Sequence, residues 1–294
     1  MTTDSARRSA LVALLLLTLV WGYNWIVMKQ VLRDCGPFHF AAIRAVLATL
    51  VLVIAMALRG VPLKPPPLLG TAALGLFQTT AFQGLVQWAL VEGAAGKTAL
   101  LVYTMPFWLI LPAWWLLHER PRRAQLAWTA LAGAGLVLVL QPWRGLGGLG
   151  SALLALAAGL AWSISVVISK RMSAGGEVSA LSLTTWQMGF GAIGLVLIAL
   201  LVPERAIAWT PGFIAGLAYN AVLASGLAWV LWAMVVQRLP ATVAGITSLA
   251  VPLTGFVFAW VLLGERPLPI EAGGIALVAA ALVGITRPAR QPEE

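Results

Sequence analysis

The side chains in this sequence that could do chemistry are amides, hydroxyls and indoles at helical spacing. Thr79, Gln83 and Gln87 fall at i, i+4 and i+8, one stripe of a helix, with Gln78 beside it. Trp21, Asn24, Trp25 and Met28 form a second face with Tyr23 adjacent, and Trp162, Ser165 and Ser169 form a third. Ser225, Trp229 and Trp232 make a fourth, with Tyr219-Asn220 a turn or two earlier. Groups of this kind hold a solute that is polar at one end and apolar at the other. They do not by themselves break bonds. The sequence has no H-E-x-x-H and no G-x-S-x-G, so the common zinc-protease and serine-hydrolase signatures are absent. Its one cysteine, Cys35, forbids an intrachain disulfide and lacks the spacing of a metal site. We therefore expect no catalytic residue, no metal and no cofactor.

Two glycine motifs imitate nucleotide sites. Gly145-Leu146-Gly147-Gly148-Leu149-Gly150 matches G-x-G-x-x-G, but that fingerprint needs a preceding strand, and here it lies between two long apolar runs. It is expected to be a linker. Gly93-Ala94-Ala95-Gly96-Lys97-Thr98 resembles the end of a phosphate loop, but Val91 stands where the pattern requires glycine.

The elements that position the polar stripes follow from hydropathy. The chain of 294 residues is 61% hydrophobic and 10% charged. A soluble domain carries about 25% charge, so the solvent here must be lipid. Apolar runs of membrane-crossing length occupy about 9–31, 39–58, 68–90, 94–117, 124–141, 149–170, 180–202, 212–235, 242–263 and 270–286. Turn chemistry separates them: Gly36-Pro37, Pro65-Pro66-Pro67, Arg120-Pro121, Gly175-Gly176, Pro203, Pro211 and Pro269. Arg7-Arg8 before Leu11–Val20 imitates a signal peptide, but the apolar run continues to about Val31 and is long enough to span. The expected fold is all-α integral membrane, with ten transmembrane helices. The net charge of +9 is scattered among the loops and forms no stripe, which argues against nucleic acid as a partner. With the N-terminus inside, the cytoplasmic loops and termini carry twelve Lys and Arg residues and the outer side six, so both termini are expected in the cytoplasm.

The chain contains one pattern twice. Pro106 is followed by Glu119-Arg120-Pro121, and Pro252 at the same spacing by Glu265-Arg266-Pro267. Trp21 and Lys29 match Trp162 and Lys170 in the same way. This is an internal duplication into residues 1–144 and 145–294. Each half holds five spans, and an odd number puts the second copy upside down. Two inverted five-helix repeats with a site at their interface are a transporter architecture.

Amides facing lipid would leave donors unsatisfied, so the stripe of Thr79, Gln83 and Gln87 faces either a cavity or a neighbouring helix. Trp88, Trp115, Trp143 and Trp209 fall near the interfaces and fit an aromatic belt. Trp21 and Trp162 fall near the midplane, where a belt cannot explain them and the lining of an amphipathic pocket can. Arg44, within the second span, is either a helix-bonding residue or a substrate contact. Pro106 and Pro252 lie mid-span, where each can kink its helix, and are the candidate hinges. Glycines such as Gly133, Gly135, Gly189, Gly191 and Gly194 allow close helix contact. No carboxylate falls at membrane depth, so transport without an obligatory buried proton carrier is expected.

These features resemble the drug/metabolite transporter superfamily, specifically its ten-helix EamA-type exporters, with YddG-type bacterial amino-acid exporters as the nearest likeness. The carriers are Trp21-Gly22-Tyr23-Asn24-Trp25, Pro37-Phe38 followed by Arg44, and the two Pro…Glu-Arg-Pro segments. The resemblance implies a multi-pass protein of the bacterial inner membrane that exports amino acids, aromatic ones among them, or related amphipathic metabolites by alternating access. It implies a cavity lined by spans 1, 3, 4, 6, 8 and 9, which favours Trp21, Asn24, Gln78, Gln83, Tyr103, Trp162 and Trp229. Four-helix multidrug pumps of the superfamily carry an acid in the first span, and this first span has none. A carrier of sugar phosphates or nucleotide sugars is the alternative within transport, and would want Lys or Arg in the cavity. A receptor or intramembrane enzyme is the alternative outside it. The expected partners are the lipid bilayer and a small-molecule solute, and duplication within one chain lets a monomer suffice.

Overall fold

The computed structural model describes residues 3–145, 148–174, 178–263 and 268–286. The second Glu265-Arg266-Pro267, the Gly175-Gly176 break, Arg287 and Arg290 lie outside the described residues. Within them every regular element is a helix: α1 (Thr3–Val31), α2 (Pro37–Leu58), α3 (Leu68–Gly75), α4 (Phe82–Glu92), α5 (Ala95–Val102), α6 (Met105–Leu117) and α7 (Arg123–Leu140), then α8 (Leu149–Ala174), α9 (Ala180–Leu201), α10 (Pro211–Tyr219), α11 (Ala228–Arg238), α12 (Ala241–Thr247), α13 (Ala250–Leu263) and α14 (Pro269–Thr286), with a short 3₁₀ turn at Pro142–Arg144. Seven stretches are long and apolar enough to cross a membrane: Val12–Val31, Pro37–Leu58, Ala95–Leu117, Arg123–Arg144, Leu149–Ala174, Ala180–Leu201 and Pro211–Arg238. Ala241–Gly255 and Pro269–Ile285 are shorter apolar helices. The stretch Leu68–Glu92 falls outside both sets because three glutamines lower its hydropathy.

Two kinds of irregularity interrupt these helices. A π-helical segment joins α3 to α4 at Leu76–Ala81, and another joins α10 to α11 at Asn220–Leu227. Between α5 and α6 the chain breaks at Tyr103-Thr104, where Thr104 N–H donates to Leu101 O (3.2 Å) and Phe107 N–H to Thr104 O (2.9 Å). Between α12 and α13 it breaks at Ser248-Leu249, with Leu249 N–H donating to Ile246 O (3.0 Å) and Val251 N–H to Ser248 O (3.0 Å). This corrects one expectation. Pro106 and Pro252 do not kink continuous helices; each sits in the first turn of a new helix, just past the break. A first-turn proline has no intrahelical bond to lose, so it starts a helix without strain.

Packing runs in matched pairs. α1 lies on α11 and α13, while α8 lies on α4 and α6; α2 pairs with α9, and α7 with α14. Glycine makes the last pair possible. A Cβ on Gly135 would stand 2.7 Å from Gly274 O, and one on Gly274 would stand 2.6 Å from Gly135 O, so each backbone occupies the other's side-chain space.

The helix ends are tied by side chains. Lys29 Nζ donates to Leu90 O (2.6 Å) and Gly93 O (2.9 Å), and Ser151 Oγ to Ala89 O (2.7 Å). Glu119 accepts from Ala241 N–H (2.7 Å) and lies 4.0 Å from Lys170 Nζ. Cys35, in the α1–α2 loop, is buried, which pushes its thiol up to about 11, so it is a poor nucleophile at neutral pH.

Candidate functional site

α1, α8 and the α10–α11 pair deliver four tryptophans to one point near the centre of the bundle. Trp21 packs on Trp229 with ring centroids 4.9 Å apart, on Trp162 at 5.8 Å and on Trp232 at 6.0 Å. Trp162 in turn meets Phe82 at 5.2 Å, Tyr103 at 5.3 Å and Trp232 at 5.2 Å. Three of these six pairs are edge-to-face, the arrangement that ring quadrupoles favour, and the other three are tilted. Trp21 Nε1 donates to Ala224 O (2.9 Å) in the π segment before α11, which fixes that indole.

Beside this aromatic box lies a cavity of about 40 Å³, lined by residues of both halves of the chain, from Trp21 to Tyr103 and from Trp162 to Trp229. That is room for a few waters, and too little for an amino acid. The walls must therefore part to admit a solute.

The polar end of the cavity is Arg44. It is buried, and its guanidinium donates from Nε to Gln83 Oε1 (3.1 Å) and from Nη1 to Asn220 Oδ1 (3.1 Å), with Met28 Sδ at 3.3 Å. The Phe40 ring lies beneath it, 5.4 Å from centroid to Cζ. Asn220 is held by its own Nδ2, which donates to Gly216 O (3.0 Å). Two buried polar atoms in the cavity wall, Trp162 Nε1 and Asn24 Oδ1, have no hydrogen-bond partner among the described residues.

Six of the ten candidate binding residues thus meet at one place: Trp21, Asn24, Gln83, Tyr103, Trp162 and Trp229 line the cavity. Four do not. Thr79 turns to α9, where its Oγ1 donates to Gln187 Oε1 (2.9 Å), and Gln78 is buried away from the cavity. Gln87 donates from Nε2 to Met28 Sδ (3.0 Å). Ser165 closes on its own helix, donating to Trp162 O (2.7 Å). Thr79 and Gln83 still share a face, with Met188 Sδ 3.6 Å from Thr79 Oγ1 and 3.7 Å from Gln83 Nε2; past that common neighbour Thr79 reaches Gln187 and Gln83 reaches Arg44. Phe82, Val86 and Ala224 line the cavity and carry no polar signal by which sequence could have found them. Asn220 stands out in the sequence beside the Ser225, Trp229 and Trp232 face, but only contact geometry joins it to Arg44. Among the described residues no carboxylate lines the cavity, and no cluster of His, Cys, Asp and Glu could hold a metal ion.

The sequence profile of the EamA-like transporter family matches the chain twice, over residues 8–141 and 149–287. The chain is similar to the uncharacterized transporter YoaV of Bacillus subtilis, with 24% identity over 233 residues covering 76% of this chain and 78% of that protein. It is similar to a protein of Salmonella typhimurium named a probable amino-acid metabolite efflux pump, with 27% identity over 241 residues covering 76% and 77%. A solved crystal structure shares the fold with a TM-score of 0.77, at 22% identity, over 97% of this chain and 99% of that one.

Proposed function

The chain belongs to the EamA-like transporter family, and we propose that this multi-pass membrane protein exports amino acids and related small amphipathic metabolites by alternating access. The observation that carries the reading is the cavity itself. It sets an aromatic box against a buried guanidinium and draws its wall from both halves of the chain. The name of the Salmonella relative favours the same solute class.

On this reading the chain crosses the membrane ten times, as two inverted five-helix repeats, with both termini in the cytoplasm of a bacterial cell and the polytopic fold acting as a monomer. Support comes from the double family match, from π segments in α3–α4 and α10–α11, from breaks in α5–α6 and α12–α13, and from the matched helix pairs. With no carboxylate in the cavity wall among the described residues, movement on this reading follows solute and electrical gradients without a buried proton carrier.

The test is uptake by purified protein in liposomes, offering labelled amino acids and sugar phosphates with and without imposed pH and voltage gradients. Saturable amino-acid movement without a pH gradient is the expected result. Movement of phosphorylated solutes alone, or a strict need for a pH gradient, overturns it.

The two helix breaks are the hinges of this scheme. Gly245 of α12 packs against Pro106, and Gly159 of α8 presses on Val102 O at the end of α5, where a Cβ would stand 2.8 Å away. Pro106→Ala restores an N–H at the break and lets α5 run into α6. Turnover is then expected to fall about tenfold, roughly 1.4 kcal/mol in the barrier, with affinity within about twofold. Equal rates for Pro106→Ala and the native chain would leave the break a packing feature only.

A further inference from the structure

We propose that Arg44 is the carboxylate anchor of the cavity, so that the solute is an amphipathic monocarboxylate, the α-amino acid zwitterion among them. The inference rests on the transport reading above and narrows its substrate.

Arg44 is 4% exposed and is the charged residue in the cavity wall. Its contacts are two amide oxygens, a thioether and an aromatic face, all neutral. The ion pairs among the described residues, His39–Glu204 and Lys170–Glu119, lie elsewhere. Burying a charge without a counter-charge costs several kcal/mol. Gln83 and Asn220 do not require that charge, since a neutral donor would satisfy their oxygens at lower cost. What the arrangement does provide is a guanidinium held in one orientation by Gln83, Asn220 and Phe40. A guanidinium carries five N–H donors, more than these contacts use, and its fork matches a carboxylate.

The rest of the wall completes a zwitterion site. Two cavity-lining residues carry buried atoms without partners, the donor Trp162 Nε1 and the acceptor Asn24 Oδ1, one of each kind that a zwitterion would satisfy. Trp21, Phe82 and Trp229 offer apolar faces to the remainder of the solute. A phosphate monoester near neutral pH carries close to two negative charges, and one guanidinium among neutral groups would leave part of that charge buried and unmatched. The site therefore favours a monoanion.

The experiment is a titration of the purified protein, followed by its intrinsic tryptophan fluorescence, with 3-phenylpropanoate, phenethylamine and phenyl phosphate. It is repeated on Arg44→Gln and Arg44→Lys, with gel filtration and circular dichroism reporting whether each variant folds. The native protein is expected to bind 3-phenylpropanoate at least tenfold more tightly than the amine or the phosphate. Arg44→Gln is expected to weaken the acid at least tenfold while leaving the amine within twofold, and Arg44→Lys to recover part of the loss. Equal affinity for acid and amine, tighter binding of phenyl phosphate, or an Arg44→Gln protein that keeps its acid affinity overturns the proposal. If Arg44→Gln does not fold, the ranking of the three probes on the native protein decides. Tight acid binding by a protein that moves no amino acid in liposomes overturns the export reading and leaves the anchor standing.

Discussion

Trp162→Ala is expected to lower the rate of solute uptake at subsaturating concentration by two to three orders of magnitude. Trp162 is almost wholly buried and its ring stands within 6.1 Å, centroid to centroid, of Tyr103, Phe82, Trp21, Trp229 and Trp232. Removing a buried Trp costs about 3–5 kcal/mol, and each aromatic pair is worth roughly 0.5–1.5 kcal/mol beyond its buried area. In this site that loss falls on the wall against which the solute packs, and about 3–4 kcal/mol corresponds to the stated range. Trp162→Phe keeps an aromatic ring among the same five neighbours while losing the unpartnered N–H and part of the indole's area, so it should retain transport within about tenfold. The measurement is initial uptake into liposomes, normalised to folded protein by gel filtration. A Trp162→Ala protein that folds and transports at the native rate would show that the box is packing alone.

The difference between those two variants turns on what could be read from the chain and what could not. Trp21 and Trp162 were legible because a matched pair of indoles at membrane depth has no interfacial role, and the structure brings them to 5.8 Å. The helices were legible because lipid-length apolar runs leave the backbone no other way to satisfy its polar groups. The third-span stripe was misleading in part. The i, i+4, i+8 pattern does give one face, with Met188 Sδ beside both Thr79 and Gln83, but that face meets a neighbouring helix at Thr79, through Gln187, and the cavity at Gln83, through Arg44. Nothing in the local sequence LFQTTA announces a π turn. The segment is tied to α9 instead, where Thr80 Oγ1 donates to Gly191 O (2.8 Å). The prolines were visible and their effect was not, because a proline that kinks a continuous helix and one that starts a new helix just past a break look the same in sequence.

Glu204→Ala is expected to cost the largest share of stability of any single substitution outside the bundle core. Glu204 stands in the segment between α9 and α10, yet it caps α2. Its Oε1 accepts from Phe38 N–H (2.9 Å), its Oε2 accepts from His39 N–H (2.7 Å), and the same oxygen lies 2.9 Å from His39 Nδ1. The residue at the α2 N-cap is Gly36, which has no side chain to cap with, and a Cβ there would collide with the Glu204 carboxylate. A helix start that cannot cap itself thus takes its anion from the other half of the chain, in the place where the helix dipole favours negative charge. The surrounding seam is built the same way. Ala208 N–H donates to Asp34 O (2.8 Å), Thr210 Oγ1 to Asp34 Oδ2 (3.1 Å), and the Arg205 guanidinium to Leu32 O and Cys35 O. Deleting the carboxylate leaves two amide donors unpaired at about 1–3 kcal/mol each. The total of about 2–6 kcal/mol should lower the midpoint of thermal unfolding in detergent by roughly 5–10 °C. Glu204→Gln, which keeps one acceptor oxygen, should lose about half as much. Because Glu204 does not line the cavity, affinity for a carboxylate probe below the unfolding range should stay within about twofold of native. An unchanged midpoint would mean that α2 holds its first turn without the cap. A lowered midpoint with a tenfold change in affinity would mean that the seam between the halves and the central cavity move as one unit.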